Sequence, residues 1–173
     1  MCIRDRNIAI PEGQQKLVSE LAKTGKPVIA LVMCGRPVIF NEIREHADAV
    51  LCTWWLGSEA GNAICNVLWG EYNPSAKLPM TFPAHVGQIP IYYQNKSTGR
   101  PTALKQTYKA SYIDASTEPA YPFGYGLSYT DFGYSDLKLL PGKAAGVHTE
   151  VSVKVTNTGK CAGEEVVQLY VQD

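Results

Sequence analysis

Residues 57–83 read GSEAGNAICNVLWGEYNPSAKLPMTFP, and the rest of the chain is organised around them. Ser58 stands where a helix N-cap is wanted, directly before an apolar-periodic run. Ala60, Ala63, Ile64, Val67 and Leu68 recur at i, i+3, i+4, i+7 and i+8, which predicts a helix over 58–69 with one buried stripe. Gly70 follows at the position that favours a left-handed residue. Asn73-Pro74-Ser75 and Leu78-Pro79 then predict turn and extended chain, because the residue before a proline avoids the α region. A one-sided helix feeding a fixed loop is the expectation.

The segments upstream alternate. Residues 12–24 predict a helix whose face is Leu17, Val18, Leu21 and Ala22, closed by Gly25. Residues 27–33 are a continuous apolar run, the mark of a parallel strand covered on both faces. Gly35-Arg36-Pro37 is a turn. Residues 41–47 predict a short helix, with Ile43 and Ala47 at i, i+4, and residues 49–54 a second apolar strand. Helix, strand, helix, strand, helix is the order of an α/β layered domain with a mostly parallel sheet. Such sheets hold ligands beyond the carboxyl ends of their strands. Here those ends are Cys34-Gly35-Arg36 and Trp54-Trp55-Leu56-Gly57.

Downstream, residues 84–128 carry little periodicity and much Pro, Gly and Tyr. A connection this long in a compact domain wraps a surface or serves a function. Its end, Tyr121 to Leu127, is dense in rings: either a segment packed by its aromatics or a platform for sugar stacking. From residue 132 the period becomes 2. Val151, Val153 and Val155 alternate with polar neighbours, Asn157-Thr158-Gly159 turns the chain, and Val167, Leu169 and Val171 alternate again. About three strands are expected, against roughly seven in a full sandwich. Their open edge is expected to be sticky.

Composition bounds the chemistry. The chain has 173 residues, 45% hydrophobic and 18% charged, with 16 basic and 16 acidic side chains. That describes a globular chain, and zero formal charge argues against nucleic acid or an anionic membrane surface as a general partner. No apolar run approaches the roughly 20 residues of a membrane span. Five cysteines at wide spacings form neither a disulfide framework nor a C-x-x-C zinc site. Cys34, Cys52 and Cys65 are expected to be small buried hydrophobes. His46, His85 and His148 are dispersed and are expected in loops or on the surface, so no metal site is assigned. Gly57-Ser58-Glu59-Ala60-Gly61 has the wrong spacing for a nucleophile elbow, and no dinucleotide or phosphate-binding glycine motif is present. Glu59 is the best single carboxylate. Its expected role is a favourable charge at a helix start, about 0.3–1 kcal/mol, with a pocket role as the alternative.

Five ordered segments, GKPVIALVMCGRPV, ADAVLCTWWLGSEAGNAICNVLWGEYNPSAKLPMTFP, VGQIPIYY, YPFGYGLSYTDFGYS and VTNTGKCAGEEVVQLYVQD, resemble the C-terminal half of glycoside hydrolase family 3, most of all its bacterial periplasmic β-glucosidases. The resemblance implies an architecture of barrel, α/β sandwich and fibronectin-type-III-like domain. Residues 7–128 would be part of the three-layer α/β sandwich, and 129–173 the first strands of the fibronectin-like β-sandwich. It implies hydrolysis of terminal, non-reducing β-D-glucosyl residues with retention, no cofactor, a periplasmic or secreted setting, and a substrate met through the complete enzyme with its barrel. The family's nucleophile is an Asp on the barrel. Its acid/base is a Glu shortly before the segment matching Asn7–Pro11, where this chain has Met1–Arg6, an expected non-native leader. Both ends are expected to be cut. No catalytic or substrate-binding residue is therefore assigned within 1–173, and this chain alone is expected to be inactive. Glu59 matches a Glu of the family's G-S-E-G-G-like motif that is not the acid/base, and Ala60 replaces the second Gly of that motif. A non-catalytic carbohydrate-binding or structural module is the alternative.

Overall fold

A computed structural model of the chain describes residues 7–94, 111–141 and 149–171. Cys2, His148 and the expected leader at 1–6 lie outside the described residues. Packing separates two compact units, one of residues up to Ala60 with Leu78–Tyr125, the other of Gly61–Lys77 with residues from Gly126 onward. The first carries a small parallel sheet among helices and the second an antiparallel pair of strands, so the chain is of the α/β class.

In the first unit α1 spans Glu12–Ala22 and follows Pro11, whose fixed φ suits a helix start. Gly25, at φ +69°, turns the chain away after its end. The inner face of α1 is not the expected one. Leu17 and Leu21 are exposed, while Val18 and Ala22 are half-buried. The smaller side chains allow close approach, and Val18 reaches the core.

β1 (Ile29–Val32) and β2 (Ala49–Cys52) pair in parallel, Ile29 opposite Ala49 and Val32 opposite Cys52, on either side of α2 (Asn41–His46) in sequence. Among the described residues β1 is covered on one face only. Val32 is buried, whereas Ile29, Leu31 and Met33 are exposed. This corrects the expectation of a strand covered on both sides. An apolar run records what a strand tolerates, and packing here reaches only the Ala30 and Val50 face, turned to Phe40 and Ile43.

Phe40, Ile43 and Phe82 form the core. Phe82, only 1% exposed, meets Phe40 edge-on at 6.0 Å and the tilted ring of Trp54 at 5.7 Å. Tyr121 stacks on Phe40 at 6.0 Å and bridges Phe82 through its backbone. Tyr125 leans on Tyr121 at 5.0 Å, and Phe123 stacks on Tyr93 at 4.4 Å. Tyr121 and Phe123 of the aromatic run 121–127 are thus packed against rings, while Tyr125 and Leu127 remain exposed. Gln88 secures the long connection from inside. Its Oε1 accepts from the Ala84 N–H at 2.6 Å and its Nε2 donates to the Ser116 and Glu118 carbonyls at 3.1 and 2.9 Å.

α3 spans Ala60–Leu68 and starts later than the Ser58 cap position implies. Ser58 and Glu59 form a turn in which the Ala60 N–H donates to the Gly57 carbonyl at 3.1 Å. Ile64, Val67 and Leu68 are half-buried and Ala63 is exposed, so the stripe is there but no residue of α3 is buried. Gly70 takes φ +78°, as its position required.

In the second unit β3 (Phe132–Pro141) and β4 (Thr149–Asn157) run antiparallel, Tyr134 opposite Val155, with an irregularity between Ser135 and Lys138 where Asp136 has φ +54°. Val151 and Val153 are half-buried, matching the period of two. The strand expected through Val167, Leu169 and Val171 does not form among the described residues; all three side chains are exposed. Alternation becomes a strand only where a ladder partner takes up the backbone groups, and among the described residues β3 and β4 pair only with each other. Cys65 is also exposed, against expectation, while Cys34 and Cys52 are half-buried.

Candidate functional site

The carboxyl rim of β1 and β2 brings together the two loops singled out in the sequence. The ladder runs one residue past the strands, with the Thr53 N–H donating to the Val32 carbonyl at 3.1 Å. Thr53 is buried and its hydroxyl donates to the same carbonyl at 3.4 Å. Trp54 then adopts φ +53°, a left-handed conformation that costs a side-chain-bearing residue roughly 1–3 kcal/mol. That twist breaks the strand alternation. The Trp54 indole packs on Phe82, and the next indole, Trp55, is 82% exposed. Trp55 lies against Gly35: a Cβ at 35 would stand 3.0 Å from the indole Nε1. A side chain at 35 would therefore have to displace the exposed indole of the second loop by a few tenths of an ångström.

Cys34 and Cys52 are half-buried at this rim. Burial pushes the Cys52 thiol up to about 11, the neighbouring Cys34 adds to the rise, and the Trp54 backbone N–H opposes it. In the core beside the rim, burial likewise raises the Tyr121 phenol, against the pull of Arg44.

Glu59 lies exposed, one residue before α3, at the electropositive start of that helix. The rim segments 33–36 and 53–57 contain no carboxylate and no imidazole. They can present an aromatic face and backbone groups to a ligand, and they supply no general acid–base pair. His46 is exposed at the end of α2, and His85 meets Tyr112 edge-on at 5.0 Å. Among the described residues no three His, Cys, Asp or Glu side chains come together as metal ligands would.

Other polar devices were not visible in the sequence. In the second unit Asn73 is buried, and its Oδ1 accepts from the Ser128 hydroxyl at 3.1 Å and the Tyr129 N–H at 2.7 Å. The Lys77 ammonium lies 3.6 Å from the Glu165 carboxylate and donates to the Gly126 carbonyl at 2.9 Å, and the Tyr134 hydroxyl donates to Glu165 at 2.9 Å. Asn73-Pro74 announced a turn; nothing local announced its partners 55 and 56 residues away.

Residues 3–129 match the model of the glycosyl hydrolase family 3 C-terminal domain. The chain belongs to glycosyl hydrolase family 3. Over 170 residues this family 3 chain is 49% identical to a periplasmic β-glucosidase of Salmonella typhimurium, covering 96% of the chain and 22% of that relative. It is 47% identical to a β-xylosidase of Formosa agariphila over 161 residues, 92% of the chain and 22% of the relative. A crystal structure of a β-glucosidase from Listeria innocua in complex with isofagomine superimposes with a TM-score of 0.84 at 40% identity, covering 90% of this chain and 22% of that one. The family 3 chain thus spans about a fifth of the length of these relatives. Among its described residues no helix is long and apolar enough to cross a membrane.

Proposed function

We propose that this family 3 chain is the C-terminal scaffold of a β-glucosidase-type enzyme that removes terminal, non-reducing β-D-glucosyl residues with retention. The observation that carries the reading is 49% identity over 96% of the chain to a protein named as a periplasmic β-glucosidase. Residues 7–128 are its α/β sandwich, a reading supported by the family match over 3–129 and the parallel β1–β2 pair. Residues 129–173 begin a fibronectin-type-III-like sandwich, supported by the switch to antiparallel pairing at β3–β4. Retaining hydrolysis needs two carboxylates about 5–5.5 Å apart across the bond. We assign both, an Asp nucleophile and a Glu acid/base, to a barrel and a preceding segment of the complete enzyme, which acts in the periplasm or outside the cell.

The purified chain incubated with a nitrophenyl β-glucoside tests this directly. The reading predicts no nitrophenol above the blank. Release that disappears in Glu59→Ala would overturn it and make Glu59 catalytic. A nitrophenyl β-xyloside belongs in assays of the complete enzyme, because a β-xylosidase is nearly as similar as the β-glucosidase. The other reading, a carbohydrate-binding module, predicts saturable calorimetric binding of cellobiose that Tyr125→Ala abolishes. The packing of Tyr125 on Tyr121 favours the scaffold.

A further inference from the structure

The β1–β2 rim leaves the Trp55 indole facing solvent. An indole left in water forgoes the burial that stabilises large aromatic side chains. The backbone bears a further cost to keep it there. Trp54 holds a left-handed conformation that sends its own ring onto Phe82 and turns the next ring outward. Strain of that kind gathers at ligand clamps and active sites. The other rim loop backs the exposed ring, since a Cβ on Gly35 would stand 3.0 Å from the indole Nε1. Parallel sheets hold ligands at this end of their strands. The rim segments 33–36 and 53–57 carry a single charged side chain, Arg36, which is exposed next to Gly35.

We propose that Trp55 is a stacking platform for a glucosyl ring of a β-linked oligosaccharide, with Arg36 donating to the hydroxyls at the ring's edge. A flat apolar surface with one polar group beside it suits a neutral ligand that has an apolar face and a polar rim. A β-D-glucopyranose ring has that form. Its substituents are all equatorial, so C–H groups line both faces and the hydroxyls lie around the edge. The Arg36 guanidinium carries five N–H donors, enough to keep a protein partner and still serve those hydroxyls. The rim supplies no carboxylate, so the platform binds sugar and does not break the glycosidic bond. The choice of sugar rests on the β-glucosidase reading; the platform itself rests on Trp54, Trp55 and Gly35.

The whole chain, isotopically labelled, is titrated with cellotriose while the indole Nε1–H resonances are followed by nuclear magnetic resonance. Trp55→Phe identifies the Trp55 signal by its loss. The proposal predicts a saturable shift of that signal at millimolar cellotriose. The Trp69 signal, from a ring almost as exposed, should stay in place. Sorbitol, an acyclic polyol with hydroxyls and no ring face, should move neither. Arg36→Gln should weaken the binding and leave the shift at Trp55. Tyr125→Ala should leave the shift unchanged, which separates this site from a module built on residues 121–127. A Trp55 signal that stays put, fails to saturate, or moves alike with sorbitol would overturn the proposal. So would equal shifts at Trp55 and Trp69, the mark of sugar coating any exposed ring. Hydrolysis is read separately, as nitrophenol release, so failure of the platform and failure of the β-glucosidase reading remain distinct.

Discussion

Phe82 is the residue on which the first unit's packing converges, touched by Phe40, Trp54 and the Tyr121 backbone. Phe82→Ala should cost about 3–5 kcal/mol, read as a fall in the urea midpoint at unchanged slope. Gln88→Ala removes an amide that pairs with three backbone groups. The expected loss is about 1–3 kcal/mol, the range for leaving buried polar groups unpaired. Cys52 gives a pH signature. Its thiol ionises near 9.0 when unperturbed and near 11 in the folded chain. The folded state therefore holds that proton more tightly, and the stability it lends is complete below about pH 9 and lost as pH rises through 11. Chemical denaturation between pH 8 and 11 should fall more steeply for the unsubstituted chain than for Cys52→Ala. The partners of Gln88 were not legible in the sequence, because they are set by tertiary proximity. Phe82 lies between prolines in a loop, where no periodicity marks it as core.

At the scale of elements, the order of the helices was the clearest feature of the sequence, and coverage the least clear. Gly70 was expected in a left-handed conformation and has φ +78°, with no atom near enough to obstruct a Cβ. Gly70→Ala should thus act through backbone strain alone, at about 1–2 kcal/mol, and fray α3, seen as reduced helical circular dichroism. Gly126→Ala is different. Its Cβ would lie 2.6 Å from the Ala76 carbonyl oxygen, so the chain must shift, a cost of about 1–3 kcal/mol on thermal unfolding. β1, β2 and α2 were readable from periodicity and apolar runs. The outward Ile29 and Leu31 were not, since a local pattern carries no record of what lies opposite. The alternation at 167–171 misled for the same reason. A period of two specifies a face, and a strand also needs a neighbour.

For the molecule as a whole, the α/β class and the family were both legible, the class from alternating elements and the family from five ordered segments. The rim loops were placed correctly at the carboxyl ends of paired parallel strands, but the left-handed Trp54 that turns Trp55 outward was invisible in composition or spacing. Under the proposed function this chain supplies scaffold and rim while the reacting carboxylates come from elsewhere in the enzyme. The most direct measurement is a chimera in which residues 7–173 replace the matching segment of the Salmonella typhimurium periplasmic β-glucosidase, assayed on a nitrophenyl β-glucoside with and without Glu59→Gln. Hydrolysis is expected in both, with kcat values within about tenfold of each other, a barrier difference of about 1.4 kcal/mol. A chimera that hydrolyses the glucoside but loses at least about a thousandfold in kcat on Glu59→Gln would contradict it, since a loss that size is expected of a reacting acid–base group.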